Sequence, residues 1–244
     1  MEQIGIGQMK RKYNDPFEQA CWDYYLGDKN ATIKIISNKA DDEIVPLSYF
    51  FRELNQMPEI EKIALDLCQG EILDVGAGSG CHSIELYRKG HAISLLEIRK
   101  GLVALLSERE INNVYHADIF NFTDKQFDTL LMLMNGIGLV QDLNGLDKIL
   151  THIKSLLKPG GQLLIDSSDL MYLYQEEDGS ILLNLNEGYY GEVEYRFVYK
   201  ELTGELFKWL YVDFSTLYEY AQKNGFTCEL IFEDDHYNYL ARLY

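Results

Sequence analysis

Three glycines at alternate positions, Gly76, Gly78 and Gly80, follow a short apolar run that ends at Val75. Glycine has no Cβ, so such a stretch can turn sharply and lets a ligand lie directly against the backbone. A helix that begins after the loop points its free N–H groups back toward that ligand. The stretch 71–80 therefore predicts a binding site for a nucleotide-like cofactor.

The glycine spacing departs from the fingerprint of dinucleotide-binding loops. That fingerprint is G-x-G-x-x-G or G-x-G-x-x-A. Its last position falls on Cys81 when counted from Gly76 and on Ser83 when counted from Gly78. The chain instead has Asp-x-Gly-x-Gly-x-Gly, beginning at Asp74. Taken alone, this pattern also fits a tight turn between a strand and a helix with no ligand.

Two acidic residues farther along the chain stand where a nucleoside would be held. Glu97 ends the second predicted strand, about 20 residues after Gly76, and an acid there can bond both ribose hydroxyls. Asp118 ends the third predicted strand, beside the expected position of an adenine. Open α/β sheets bind ligands in the crevice at the carboxyl ends of their strands. Together with the glycines, the two acids favour a nucleoside-containing cofactor over an empty turn.

From residue 71 onward, apolar runs alternate with stretches of helical spacing, which indicates a parallel sheet covered on both faces. Five of the predicted strands are 71–75, 92–97, 114–117, 127–134 and 162–167. Two more, 226–232 and 237–243, are joined by only four residues, so they must be antiparallel. The predicted fold is α/β, a doubly wound, mostly parallel sheet of seven strands with an antiparallel last strand.

The residues that precede the glycines, 1–69, predict a helical cap or lid. They indicate a leading helix near 16–26, a short extended stretch at 32–37, and two helices that begin at Pro46 and Pro58. Proline is well suited to the first turn of a helix because its missing N–H would be unpaired there anyway.

A second addition, 169–212, predicts an inserted β-hairpin, because alternating aromatic residues at 192–199 lead through a turn and return at 207–212. One two-stranded ribbon cannot bury so many aromatic rings by itself. The hairpin is therefore expected to be either a wall of the substrate site or the surface of a homodimer. The remaining residues, 70–168 and 213–244, are predicted to form the cofactor-binding core.

The overall charge restricts the classes of partner. The chain has 22 basic and 39 acidic residues, a formal net charge of −17. Such a surface repels nucleic-acid phosphates and anionic lipids, so neither is an expected partner. No segment has the features of a signal peptide or the roughly 20 apolar residues of a membrane span. The four cysteines form no C-x-x-C pair, so no disulfide or metal site is predicted, and a reduced, cytoplasmic location fits best.

A little over half of the chain, 71–168 and 213–244, resembles the class I S-adenosylmethionine-dependent methyltransferases. The closing antiparallel strand pair is similar to theirs, and the resembling motifs are 71–80, Glu97 with Ile98, Asp118 with Ile119, and 157–165. The resemblance implies a Rossmann-like methyltransferase fold, S-adenosylmethionine as cofactor and S-adenosylhomocysteine as product. It does not indicate the methyl acceptor or the kind of atom that is methylated.

The resemblance also assigns roles to residues. The loop backbone would lie against the methionine part of the cofactor, with Asp74 orienting it, and Glu97 would hold the ribose. Asn135, after the fourth strand, would contact the cofactor's amino-acid end and the substrate. The implied cofactor-binding residues are Asp74, Gly76, Ala77, Gly78, Gly80, Glu97, Ile98, Asp118, Ile119 and Asn135.

Methyl transfer from a sulfonium needs no nucleophilic side chain and no metal. The enzyme must align the acceptor with the S–CH3 bond and exclude water, and such positioning can supply roughly 7–11 kcal/mol. A general base helps only when the acceptor is a hydroxyl or a protonated amine. The candidates for that base are His82, His116 and Asp169, although a lone histidine is more often a surface or core residue.

A small molecule is the expected acceptor. In the family that this chain resembles, DNA and glutamine amino-methyltransferases carry an Asn/Asp-Pro-Pro-Tyr-like motif, and the 5-methylcytosine enzymes use a Pro-Cys dipeptide. This chain has Asn135-Gly136-Ile137-Gly138 at that point and no Pro-Cys. The polar segment 166–169 opens onto the same crevice, unless it is only a turn. Aromatic residues in the leading segment would form a lid that attracts cations, unless they belong to the core. The candidate substrate-binding residues are Tyr25, Asn135, Asp169 and Tyr172.

Two other classes of function stay open at this point. One is an NAD-dependent oxidoreductase, against which the missing third Gly or Ala of the fingerprint counts. The other is a non-catalytic cofactor-binding protein that acts by association through its aromatic hairpin.

Overall fold

The computed structural model describes residues 12–109, 111, 113–176, 178–182 and 188–244. The first eleven residues of the predicted cap, and residues 177 and 183–187 of the predicted insertion, lie outside the described residues. Within the described part, no helix is both long and apolar enough to cross a membrane.

The described residues form strands and α-helices that we number in chain order. The strands are β1 (Thr32–Ser37), β2 (Glu43–Pro46), β3 (Glu71–Val75), β4 (Ala92–Glu97), β5 (Val114–His116), β6 (Phe127–Met132), β7 (Leu157–Ser168), β8 (Glu192–Tyr199), β9 (Leu202–Thr203), β10 (Phe207–Leu210), β11 (Cys228–Glu233) and β12 (Asn238–Leu243). The helices are α1 (Pro16–Tyr25), α2 (Glu59–Leu67), α3 (Cys81–Arg88), α4 (Lys100–Glu108), α5 (Leu143–Leu156) and α6 (Phe214–Lys223).

The central sheet has seven strands in the order β11-β12-β7-β6-β3-β4-β5. Strands β3 to β7 run parallel to one another. Strand β12 pairs antiparallel with β7, and β11 pairs antiparallel with β12. This arrangement confirms the predicted doubly wound fold with its antiparallel closing strands. The strand order reverses between β3 and β6, and such a switch point is where open α/β sheets form their ligand crevice.

Apolar side chains bury both faces of this sheet. On one face α5 presents Leu146, Ile149 and Ile153, which are fully buried with the inward residues of β6 and β7. On the other face Leu65 of α2 and Leu86 of α3 are buried in a second cluster. Helical spacing of apolar residues produces these stripes, and their burial fixes the strand ends that form the crevice.

A second sheet brings together two distant parts of the chain. Its order is β10-β8-β1-β2, with β9 also paired to β8, and all of these pairings are antiparallel. The predicted hairpin therefore exists, and it pairs with the predicted extended stretch 32–37. Pro46 ends β2 and is followed by a five-residue 3-10 helix, Leu47–Phe51, where the proline had predicted a helix start.

Candidate functional site

The glycine loop, residues 76–80, lies at the carboxyl end of β3. Gly76, Gly78 and Gly80 all have left-handed backbones, with φ of +72°, +57° and +85°. A Cβ added at Gly76 or Gly78 would meet no atom closer than 3.8 Å, so the space above these two residues is open. At Gly80 the added Cβ would lie 2.6 Å from Leu106 Cδ2. Two glycines thus border open space, and the third is required by packing against α4.

Glu97, at the end of β4, is tied to this loop. It is 4% exposed, and its Oε2 accepts a hydrogen bond of 2.9 Å from Gly78 N. Its Oε1 accepts one of 2.7 Å from Arg99 N. A carboxylate has about four acceptor positions, so lone pairs are left for a ligand hydroxyl. Gly76 N and Ala77 N both donate to Leu96 O, which holds the loop against β4.

Asp74 lies behind the loop and does not face open solvent. It is 3% exposed, its Oδ2 accepts a hydrogen bond from Ser83 Oγ, and burial raises its pKa. Asp74 therefore connects β3 to the first turn of α3, and this contact orients the loop between them.

The far side of the same crevice carries the residues predicted to border the adenine. Asp118 caps a short 3-10 turn by accepting from Phe120 N at 3.0 Å, and Ile119 within that turn is buried. Ile98 is 60% exposed, which offers an apolar surface beside Glu97. His116 Nε2 lies 3.0 Å from Ile98 O, so this candidate base lies on the adenine side.

An unusual bend follows β6. Two consecutive residues other than glycine, Met134 and Asn135, have left-handed backbones with φ of +61° and +52°. Asp166 of β7 stabilises both, because its Oδ2 accepts from Met134 N at 3.0 Å and its Oδ1 from Asn135 N at 2.8 Å. Burial raises the pKa of Asp166 to about 7, and the charge of Glu61 contributes to this shift. The Asn135 Oδ1 atom is buried and accepts no hydrogen bond from the described residues.

A buried ionic cluster lies close to this bend and was not predicted from the sequence. Glu61 of α2 accepts from Arg52 through Oε1 and lies 2.8 Å from His82 Nε2 through Oε2, and all three side chains are buried. Burial alone would lower the pKa of His82, but Cys81 and Glu61 raise it well above its usual value. An imidazole held as a cation cannot accept a proton, which counts against His82 as a general base.

The segment around Leu47–Phe51 covers the loop. Ser79 Oγ donates to Phe50 O, and Arg109 Nη1 donates to Ser79 O. Arg52, which follows this segment, stacks on Tyr49 with its guanidinium carbon 4.1 Å from the ring centroid. No sequence pattern marks the two contacts of Ser79, because their partners are 29 and 30 residues away in the chain.

The opposite wall of the crevice contains Asp169 and Tyr172. Asp169 Oδ1 accepts from Met171 N at 2.8 Å and from Tyr190 OH at 2.7 Å. The ring of Tyr172 stacks on that of Tyr237, with centroids 5.5 Å apart. Asp169 and Tyr172 therefore lie together just beyond β7, which ends at Ser168. Ser168 Oγ lies 3.5 Å from Asn135 Nδ2, so this wall adjoins the bend.

The predicted substrate residue Tyr25 lies in a different place. Its hydroxyl donates to Glu108 O at the end of α4, and its ring packs edge-on against Trp22. Trp22 is 2% exposed and donates to Gly101 O. The aromatic residues of the leading helix thus pack against α4 as part of a core, the alternative to a lid that the sequence had left open.

The second sheet closes the crevice over the residues that follow Asn135. Trp209 of β10 packs on Gly138 so closely that a Cβ added at Gly138 would collide with the indole ring. Tyr195 of β8 donates to Tyr211 OH at 3.0 Å. The inward face of the hairpin therefore forms a wall next to the bend.

Two other features lie outside this crevice. A cavity of about 590 Å³ lies at the opposite end of the parallel strands, near the start of β7. Lys158, Gly161 and Phe226 contribute to its lining. It includes none of the predicted site residues. Among the side chains that the structure describes, no group of three or more His, Cys, Asp or Glu residues is arranged to hold a metal ion.

Comparison with known proteins gives consistent matches to methyltransferases. The family model described as "Methyltransferase domain" matches residues 73–165. Demethylmenaquinone methyltransferases from two strains of Tropheryma whipplei are 29% identical over 101 residues, which is 39% of this chain and 40% of theirs. The match thus spans well under half of the length of these curated relatives.

Solved structures extend the likeness to almost the whole chain. The crystal structure of an SAM-dependent methyltransferase from Bacteroides fragilis, in complex with S-adenosyl-L-homocysteine, is 41% identical with a TM-score of 0.88. The likeness covers 95% of this chain and 94% of that one. The PH0226 protein from Pyrococcus horikoshii is 18% identical with a TM-score of 0.56 over 75% of this chain and 87% of its own, which shows a shared fold only.

Proposed function

The chain belongs to the class I S-adenosylmethionine-dependent methyltransferases, and we propose that it transfers the methyl group of that cofactor to a small-molecule acceptor. The observation that carries the proposal is the glycine loop. Gly76 and Gly78 leave open space above a left-handed backbone, directly beside the Glu97 carboxylate. A cofactor with a ribose and an amino-acid end fits this arrangement.

We propose the following contacts for the cofactor. Glu97 bonds the ribose hydroxyls with its remaining lone pairs, and Asp118 with Ile119 borders the adenine. Asn135 bonds the methionine end, because its buried Oδ1 has no donor among the described residues and an α-amino group would supply one. The bound cofactor supplies an activated methyl group on a sulfonium. The backbone of the loop and the bend at 134–135 would orient it.

The chain's own residues are proposed to act by positioning. The bend at Met134 and Asn135 is held by two hydrogen bonds that its N–H groups donate to one buried carboxylate, so it needs no reorganisation when ligands bind. Of the three candidate bases, Asp169 alone lies on the wall next to Asn135, whereas His116 lies on the adenine side and His82 is held as a cation. We therefore assign any base role to Asp169.

Two observations support a small acceptor. The second sheet covers the crevice beyond Asn135, with Trp209 packed directly on Gly138. The net charge of −17 disfavours nucleic acids. A cytoplasmic location belongs to the same proposal and rests on the sequence features alone.

A homodimer is also part of the proposal, and the side-chain directions restrict which surface it would use. The inward aromatic residues of β8 and β10 already pack within the protein, since Phe197 packs on Phe17 and Trp209 on Gly138. A homodimer would therefore use the outward face of the second sheet, where Ile44 is 67% exposed. Sedimentation of the wild-type protein and of Ile44→Asp tests this, and the substituted protein should show the weaker self-association.

The proposed cofactor contacts are tested by calorimetric titration with S-adenosylhomocysteine. We expect micromolar binding and, for Glu97→Ala, an affinity loss on the order of tenfold, because each tenfold corresponds to about 1.4 kcal/mol, close to one charged hydrogen bond. Glu219→Ala on the exposed face of α6 is the matched control and should bind normally. Unchanged affinity in Glu97→Ala would remove the ribose assignment. A thermal shift with NAD but not with S-adenosylhomocysteine would favour an oxidoreductase.

A further inference from the structure

Four tyrosines lie near one another, with Tyr195 and Tyr211 in direct contact, and we call them the tyrosine cluster. They come from four separate parts of the chain: Tyr49, Tyr172, Tyr195 and Tyr211. The Tyr195 hydroxyl is hydrogen-bonded to the Tyr211 hydroxyl. Burial raises the pKa of Tyr211, and the nearby hydroxyls of Tyr195, Tyr172 and Tyr49 raise it further. The four phenol groups therefore lie within electrostatic reach of one another.

The tyrosine cluster adjoins the bend at Asn135. Partial burial raises the pKa of Tyr49. The charge of Arg52 lowers this pKa, and the charges of Glu61 and Asp166 raise it. Asp166 is the residue that bonds Asn135 N, so the cluster and the bend border the same space. The Asn135 Oδ1 atom, which is buried and lacks a donor among the described residues, lies at this junction. The proposed function assigns this atom to the amino-acid end of the cofactor, so a ligand bound in this space would lie beside the cofactor.

The aromatic faces are accessible to a ligand. Tyr49 and Tyr172 are 46% and 45% exposed, although Arg52 stacks on one face of Tyr49 and Tyr237 on one face of Tyr172. Rings that serve only as core would be covered, as Trp22 is. Phenol rings present a negative face that attracts ammonium groups.

The carboxylates near the tyrosine cluster are Asp169 on the same wall, Glu43, which acts on Tyr195, and the partly ionised Asp166, which acts on Tyr49. Glu61 adds no net negative charge, because Arg52 and His82 both contact it. A carboxylate or phosphate bound beside Asp169 would be repelled. A protonated amine would be attracted by both the rings and the carboxylates.

We propose that the methyl acceptor is an amine carried on an apolar or aromatic body, bound between the tyrosine cluster and Asn135. The inference rests on the proposed methyl transfer and specifies its substrate class. The bound ammonium first gives one proton to the Asp169 carboxylate, the base of the proposed function, and Asp169 later releases that proton to water. The nitrogen lone pair then forms a bond to the methyl carbon as the S–CH3 bond breaks, and that electron pair stays on sulfur. The products are S-adenosylhomocysteine and a methylated ammonium, which then loses its extra proton to water.

The test uses three probes with the same ring and different charge: 2-phenylethylamine, 2-phenylethanol and phenylacetate. Each is titrated at neutral pH into protein saturated with S-adenosylhomocysteine, after that first binding step has been measured by itself. We expect the amine to bind about tenfold tighter than phenylacetate, with the alcohol between them. We also expect methylated phenylethylamine, detected by mass spectrometry, when S-adenosylmethionine replaces the product.

A matched pair of variants locates the effect. Tyr172→Ala should weaken amine binding by about tenfold, and Tyr172→Phe should restore most of it because the ring face is kept. Tyr218→Ala removes a ring of nearly equal exposure, 44%, from α6 and should leave amine binding unchanged. All variants should bind S-adenosylhomocysteine like the wild type.

The outcomes separate this inference from the proposed function. If S-adenosylhomocysteine does not bind, the proposed function fails and the amine assignment fails with it. If it binds, but phenylacetate binds as tightly as the amine, or the amine does not bind at all, the amine assignment alone is overturned. Equal losses in the Tyr172→Ala and Tyr218→Ala proteins would likewise overturn the location in the tyrosine cluster.

Discussion

The two sides of the crevice are built in different ways. The proposed cofactor side consists of the glycine loop, Glu97 and the turn at Asp118, all at the carboxyl ends of neighbouring strands β3, β4 and β5. Backbone N–H groups take part in its contacts, as where Gly78 N donates to Glu97 Oε2. The proposed acceptor side consists of side chains from elements far apart in the chain, which meet because β1 pairs with β8. One side depends on local sequence and the other on tertiary pairing.

This difference has a functional consequence. A cofactor that is common to a whole family can be bound by a loop whose geometry is encoded within a few residues. In the proposed site, the acceptor is contacted by side chains on and beside an added sheet, which can change without disturbing β3 or the loop. Asp166 connects the two sides, because it lies at the end of β7 and bonds the bend that both sides share.

The largest expected effect is on the cofactor side. Gly78→Ala should lower S-adenosylhomocysteine affinity on the order of 100-fold, because its left-handed backbone disfavours a Cβ and the methyl group would occupy the open space above the loop. Isothermal calorimetry measures this loss.

Gly90→Ala is the matched control for that change. Gly90 also has a left-handed backbone, with φ of +85°, and a Cβ there would meet nothing within 4 Å. It should lose a similar amount of stability, about 1–2 kcal/mol, and keep full affinity. Equal affinities in the two variants would show that the space above Gly78 is not used by the cofactor.

Much of the cofactor side could be predicted from the sequence. The strand at 71–75, the loop after it and the seven-stranded sheet with its antiparallel closing strands are all confirmed. They are encoded by apolar runs, by glycines and by a four-residue link, which act over short distances. Membership of the methyltransferase family, predicted from the same motifs, is also confirmed. The roles of individual residues stay predictions.

The acceptor side could be predicted only in part. The hairpin was identified, but its pairing with β1 was not, because strand pairing over more than 150 residues leaves no local pattern. The ionic cluster of Arg52, Glu61 and His82 was missed because its partners, 9 and 21 residues apart, have no spacing that marks a contact. The segment 166–169 was expected to open onto the crevice, and the structure shows that Asp166 within it bonds the bend at Asn135.

A smaller effect is expected where the two sides meet. The pKa of Asp166 is raised by burial to about 7, above its ordinary value of 3.8. Proton binding by this group therefore stabilises the folded state fully below about pH 4, and the contribution is lost as the pH rises toward 7. Between pH 5 and 7 the free energy of unfolding should fall by about 2 kcal/mol on this account.

Asp166→Asn isolates that contribution because asparagine does not titrate. Denaturant unfolding of both proteins at pH 5 and pH 7 should show a smaller loss of stability in the variant. Asp235→Asn, on the exposed loop before β12, should lose as much as the wild type. Parallel behaviour of all three proteins would mean that Asp166 stays ionised across this range.

The smallest effect is expected on the acceptor side, and it sharpens the contrast between the two sides. Gly138→Ala introduces a Cβ that collides with Trp209, so β10 must shift. Because β10 is an edge strand of the second sheet, we expect a stability loss of only about 1 kcal/mol, at the low end for overpacking. Trp209→Leu in the same protein should recover part of it. Affinity for S-adenosylhomocysteine should be unchanged, because Trp209 belongs to the added sheet and the loop to β3. A loss of cofactor affinity as large as that of Gly78→Ala would mean that a shift of the added sheet also moves the glycine loop. The added sheet would then shape the cofactor site as well.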